Sequence, residues 1–239
     1  MRLLLCRLMA ALCITALLNA CGKPVVEVAL DSTLTILEPR QDYSYEQMKE
    51  KWVVIGDIKE TIPRLHIEKK EHFLAIAPNR TPFAVLRPIK AQLLATPFLS
   101  WTWRIARDTQ SISPLGLAIG FMDQKIKNNA WYLSGFWGPS LPPFSRSLTI
   151  EWGRSANERG SLRVSNKDRE GRSLARYVAR GGLENQGRWW REHIDLSLLH
   201  SKAWPELDMR DTQIVFAGFI LKKHNSTLAD HLKKISLSR

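Results

Sequence analysis

Cysteine is nearly absent. The 239 residues hold three, Cys6, Cys13 and Cys21, all within the first 21 positions. The body of the chain therefore offers no thiol for a disulfide, a zinc site or a nucleophile. A membrane-length apolar run is also missing at the N-terminus: Leu8 to Leu18 covers 11 residues, against about 20 for a spanning helix, and Arg7 blocks its extension. Neither Ser134-Gly135 nor Gly138-Pro139-Ser140 supplies the G-x-S-x-G frame of a serine hydrolase elbow. His66, His72, His193, His200, His224 and His231 show no metal-ligand spacing. Gly181-Gly182 reads as a plain turn rather than a phosphate cradle. No metal and no cofactor is expected. Basic tracts longer than a pair are lacking as well (Lys69-Lys70, Lys222-Lys223 and Lys233-Lys234 are the pairs), which argues against nucleic acid as a partner.

What is present begins with Arg2 and Arg7 ahead of that short apolar run, followed by Leu18-Asn19-Ala20-Cys21. This is the order of a secretory n-region, h-region and small-residue cleavage site, and the tetrapeptide resembles a bacterial lipobox. The expected organisation is a lipoprotein signal peptide over 1–20, a tether and first strand over 21–45, and one domain over 46–239. Lipid attachment is expected at Cys21, with an ordinary secreted protein and an uncleaved helix as the weighed alternatives. Each buried methylene contributes about 0.8 kcal/mol to membrane affinity, so two or more acyl chains hold firmly. Gly22 after the cysteine resembles the outer-membrane sorting default, which would place the chain in the periplasm-facing leaflet.

Removing Arg2 and Arg7 with the signal leaves 33 basic and 23 acidic residues, a formal charge of +10. Such a chain suits anionic partners. The densest stretch runs from Arg154 to Arg191 and is read as solvated hairpins ahead of a dedicated anion site, and it is also the surface through which a docking lipoprotein would meet an envelope protein.

Periodicity points to strands. In Leu99-Ser100-Trp101-Thr102-Trp103-Arg104-Ile105 the apolar side chains fall on one face and the polar ones on the other. Trp52–Gly56, Leu65–Glu68, Phe73–Ala77, Leu115–Met122, Trp131–Trp137, Ser147–Trp152, Leu174–Ala179, Trp190–Ile194 and Ile214–Leu221 also read as strands, with Val25–Leu30 as the first. Helices are expected at Tyr45–Lys51 and Leu196–Trp204. Ten to twelve short strands with few helices predict an all-β, jelly-roll-like β-sandwich. A mixed α/β domain with parallel strands is the alternative.

Pro97-Phe98-Leu99-Ser100-Trp101-Thr102-Trp103-Arg104 resembles the P-x-L-x-W-x-W-R/K strand of an uncharacterised family of exported bacterial proteins. Gly187–Glu192 is similar to its W-x-x-E segment, and Ile214–Leu221 to its penultimate strand, so the resemblance spans roughly 50–238. It implies a galactose-binding-like jelly roll and binding rather than chemistry. Where family members carry an acidic Asp-x-Asp-Asn-Thr run, this chain has Lys222-Lys223-His224-Asn225-Ser226-Thr227, which removes the donors of a divalent metal there.

Nine tryptophans are available to stack on sugars. Trp101 and Trp103 share their face with Leu99 and Ile105 and are assigned to the core. Trp131, Trp137 and Trp189, which flank loops rich in Gly, Pro and Asn, are the candidate ligand rings, with Arg188 beside them. Glu151 and Glu192, next to Trp152 and Trp190, are the carboxylates that a glycosidase would need, although both are read first as outward-facing strand residues. The leading expectation is a non-catalytic, lipid-anchored envelope protein that binds a glycan or another envelope component. A docking lipoprotein and a glycoside-hydrolase-like enzyme are its alternatives.

Overall fold

The computed structural model describes residues 33–39, 45–58, 63–68, 70–77, 81–107, 113–123, 141–165, 171–223 and 228–239. Two sheets face each other, as the alternation predicts. The first has six strands: β1 (Thr33–Leu37), β3 (Arg64–Glu68), β4 (Glu71–Ile76), β6 (Phe98–Arg104), β11 (Trp190–Asp195) and β13 (Asp230–Ser238). They run in the order β11-β6-β13-β4-β3, with β1 also pairing on β13. The second has seven: β2 (Val53–Ile55), β5 (Phe83–Gln92), β7 (Leu115–Asp123), β8 (Arg146–Gly153), β9 (Leu162–Val164), β10 (Ser173–Gly181) and β12 (Thr212–Leu221). Their order is β2-β5-β12-β7-β8-β10-β9. Two short helices complete the fold, α1 (Tyr45–Lys51) and α2 (Leu196–Ala203). Asp195 caps α2 by accepting from the Leu198 N–H at 3.0 Å, satisfying one of the donors a helix start leaves open.

The sandwich expected from the sequence is therefore present, and the α/β alternative fails because, among the described residues, all strand pairings but one are antiparallel; β10 lies parallel to β8. Among the expected strands, Val25–Leu30 and Trp131–Trp137 lie outside the described residues. The ten-residue β5 was not anticipated, because Pro88 and Arg87 interrupt its apolar pattern. Pro88 is tolerated because β5 bulges there against β12: Ile214 stands opposite Ala91 but Phe216 opposite Pro88.

Side chains of the two inner faces form one core. Trp101 and Trp103 are 1% and 0% exposed and meet edge to face with centroids 5.4 Å apart. Trp103 in turn meets Trp152 of β8 at 5.5 Å, so three rings tie the six-stranded sheet to the seven-stranded one in the offset geometry that aromatic pairs prefer. Among the described residues, an apolar layer covers one half of the outer face of the seven-stranded sheet. Val53, Ala84, Leu86, Leu141, Phe144 and Phe216 form a second apolar cluster over β2, β5 and β12. Phe216 lies over Gly120, where a Cβ would fall 2.2 Å from the ring. Beyond this cluster, toward β8, β10 and β9, the same face is polar.

One buried histidine has a measurable consequence. His200 of α2 is 1% exposed, packs on Phe121 at 5.3 Å, and neither ring nitrogen has a hydrogen-bond partner. Next to it Arg146 donates to both Asp123 carboxylate oxygens, and the Thr212 hydroxyl donates to Oδ1 at 3.0 Å. Burial, aided by the Arg146 charge, pushes the His200 pKa down to about 4. In the unfolded chain the ring titrates near 6.5, so there the unfolded state binds the extra proton. Stability is thus fully present above pH 6.5 and is lost as pH falls toward 4, by on the order of 3 kcal/mol. His200→Phe is expected to flatten the dependence of urea-unfolding free energy on pH across that window. An unchanged slope would remove His200 as its cause.

Candidate functional site

The polar half of that outer face carries a groove of about 590 Å³. Its floor is β8, where Leu148, Ile150 and Trp152 point inward and Glu151 points out. Arg176 and Val178 of β10, Arg163 of β9, Ser113 and Pro114 before β7, and Lys222 and Lys223 after β12 form its walls. Glu151 is held by two cations: Lys222 Nζ lies 2.7 Å from Oε1 and Arg176 Nε 3.4 Å. A second carboxylate arrives from the turn after β8. The Ser155 hydroxyl caps a single 3-10 turn, Ala156–Glu158, by accepting from the Asn157 N–H at 3.2 Å. Gly160, at φ +85°, lets the chain reverse into β9. This turn folds Glu158 back over the strand end, where its Oε2 accepts from the Arg154 N–H at 3.1 Å. Gly153 makes room for it, since a Cβ there would fall 2.7 Å from that oxygen. Glu158 thus lies over the position two residues along the strand from Glu151, and both carboxylates line the same groove. Glycosidases work with a pair of carboxylates flanking the scissile bond.

The other sequence-derived candidates fall elsewhere. Glu192 faces inward, opposite Trp101 in the β11–β6 register. It is 4% exposed, accepts from Arg180 Nε at 2.5 Å and Nη2 at 3.3 Å, and takes a further contact from Trp103 Nε1 at 3.4 Å. The expectation that it points outward is corrected. It shares its strand face with the half-buried Trp190 and Ile194, so alternation sends it between the sheets. Glu151 and Glu192 therefore lie on different sheets and different faces, and they do not form a pair. Trp189 sits on the outer side of the six-stranded sheet, with the Arg104 guanidinium 4.7 Å and Lys233 Nζ 4.1 Å from its ring centroid. Arg104 also pairs with Glu68, and Lys233 with Glu71. His231 is packed beside Trp189 and Phe73, and burial, together with the Arg104 charge, lowers its pKa to about 4. Arg188 is exposed on the turn entering β11. Cys21, Trp131 and Trp137 lie outside the described residues. The sequence did not single out Glu158, Arg176 or Lys222 as site residues. Glu158 sits in a polar turn with no motif around it, and only the sheet order brings the end of β12 beside β7 and β8.

No family model and no curated protein matches the chain. Among solved structures it is similar to a family 12 xyloglucanase from Bacillus licheniformis, at 8% identity and a TM-score of 0.43, over 91% of this chain and 97% of that one. It is also similar to a thermo-stable cellulase derived from the Cel12A enzyme of Rhodothermus marinus, at 13% and 0.45, over 80% and 93%. A third is the xyloglucanase domain of the effector NopAA from Sinorhizobium fredii, in complex with cellobiose, at 9% and 0.41, over 88% and 95%. At such identities the likeness concerns architecture, and the β-sandwich is the feature shared. The structures matched are glycoside hydrolases, which the expectation of a non-catalytic envelope binder did not foresee, and that expectation is withdrawn.

Proposed function

We propose that the protein is a glycoside-hydrolase-like enzyme that cleaves a polysaccharide in the groove over β8, with Glu151 and Glu158 as its carboxylate pair. The observation that carries this reading is the presence of both carboxylates in the lining of one groove, the residue types that glycosidic cleavage uses as a pair. Glu151, fixed on a rigid strand by Lys222 and Arg176, takes the nucleophile or base position. Glu158, on the adjoining turn, takes the position of the acid that protonates the leaving oxygen. Export and acylation at Cys21, with the domain held at the outer membrane facing the periplasm, complete the proposal. The likeness of the tryptophan strand to an uncharacterised exported family agrees with that address.

The wild-type protein should release reducing ends from at least one member of a polysaccharide panel spanning xyloglucan, linear β-glucan and uronate polymers. A panel without any release would overturn the hydrolase reading. Palmitate labelling should be lost in Cys21→Ser, and labelling that persists would remove the anchor.

A further inference from the structure

The groove holds five cations, Arg154, Arg163, Arg176, Lys222 and Lys223, and two carboxylates, Glu151 and Glu158, an excess of three positive charges. Arg176 and Lys222 lie against Glu151. Arg154, Arg163 and Lys223 have no carboxylate within ion-pair distance among the described residues. Arg154, Arg163 and Arg176 come from the arginine-rich stretch 154–191, and the order of the sheet brings Lys222 and Lys223, after β12, beside them.

One pairing stands out energetically. Arg163 and Arg176 are direct partners in the antiparallel register of β9 on β10, and both are exposed on the groove side. Directly opposed residues have Cβ atoms about 4.5–5.5 Å apart, and like charges there destabilise a sheet. An anion between the two guanidiniums would turn that repulsion into attraction, and a guanidinium fork matches a carboxylate through two parallel hydrogen bonds.

We infer that this groove binds an anionic glycan, a polysaccharide carrying uronic-acid carboxylates, with Arg163, Arg176 and Lys223 as its charge-reading side chains. The inference rests on the proposed hydrolase reading and names its substrate class. A neutral glucan would leave Arg163 uncompensated beside Arg176, whose own partner is Glu151. Nucleic acid is disfavoured, because among the described residues the one aromatic ring in the lining, Trp152, is 3% exposed and turned into the core, so these residues offer no platform on which bases could stack.

Titration calorimetry on the full chain decides the matter, with hexamers of galacturonate, mannuronate and glucuronate, with cellohexaose, and with a 12-nucleotide single-stranded DNA. At least one uronate hexamer should bind more tightly than cellohexaose and the DNA. Its affinity should fall about tenfold between 50 and 300 mM NaCl, as screening shortens the reach of exposed charge. The variant Arg163→Gln/Lys223→Gln should bind about tenfold more weakly, while Arg163→Gln alone melts no lower than wild type because a repulsive pair is gone. The inference is overturned if no uronate hexamer binds, if cellohexaose or the DNA binds as tightly, or if the double variant binds unchanged. The two proposals fail separately. Uronate binding without release of reducing ends would leave the ligand class standing and remove the hydrolase. Release from neutral glucans alone would do the reverse.

Discussion

Glu192→Ala is expected to lower the unfolding free energy by about 3–5 kcal/mol, the cost of leaving a buried charge without its partner. Arg180 and Glu192 have side chains only 12% and 4% exposed and are joined by two hydrogen bonds. Removing the carboxylate strands the guanidinium between the sheets, beside the Trp190 ring 3.7 Å away. Replacing both partners by apolar residues of similar size removes the pair without leaving either charge behind. The double variant Arg180→Met/Glu192→Leu should therefore recover most of the loss. Denaturant melts of the two variants make the comparison. A loss below about 1 kcal/mol in Glu192→Ala, or a double variant as unstable as the single one, would show that the pair does not hold the sheets together as described.

The second large effect is on turnover. Glu151→Gln keeps the shape of the side chain and its contact with Lys222 but removes the charge, and kcat should fall by about 10²–10⁴-fold, the range assigned to a positioned acid, base or nucleophile. The melting temperature should stay close to that of wild type, because the side chain borders the groove rather than the core. Glu158→Gln should lose turnover on substrates with poor leaving groups and retain more on activated aryl glycosides, which need little protonation. If both variants keep wild-type kcat, the cleaving groups lie elsewhere, whatever the groove binds.

Much of the scaffold could be read from alternation. The Leu99–Ile105 strand has its tryptophans inside, β7 and β12 are interior strands of their sheet, and both helices fall where they were expected. The groove was harder, and the reasons are local. In β10 the sequence places Arg176, Val178 and Arg180 at a spacing of two, as if on one face. The register slips between Val178 and Arg180, so that Val178 stands opposite Glu151 but Arg180 opposite Trp152. A bulge of this kind re-aims the next side chain, and here it turns Arg180 inward to meet Glu192. Nothing in Tyr177-Val178-Ala179-Arg180 announces it. Similarly, the Arg163–Arg176 opposition depends on pairing register, and the approach of Lys222 to Glu151 on strand order. Neither follows from spacing along the chain. Glu192 was legible in principle, because its alternation with Trp190 and Ile194 already marked the inward face. The preference of carboxylates for solvent outweighed that pattern in the reading of the sequence, and Arg180, the partner that allows its burial, was not apparent.

The most direct check on where this protein acts is backbone chemical-shift mapping of Glu151→Gln during titration with a bound oligosaccharide. Shifts should concentrate on position 151, Arg163, Arg176 and Lys222, on the outer face of the seven-stranded sheet. Perturbations confined to Arg104, Arg188 and Trp189, on the opposite sheet, would contradict the assignment of the groove as the carbohydrate site.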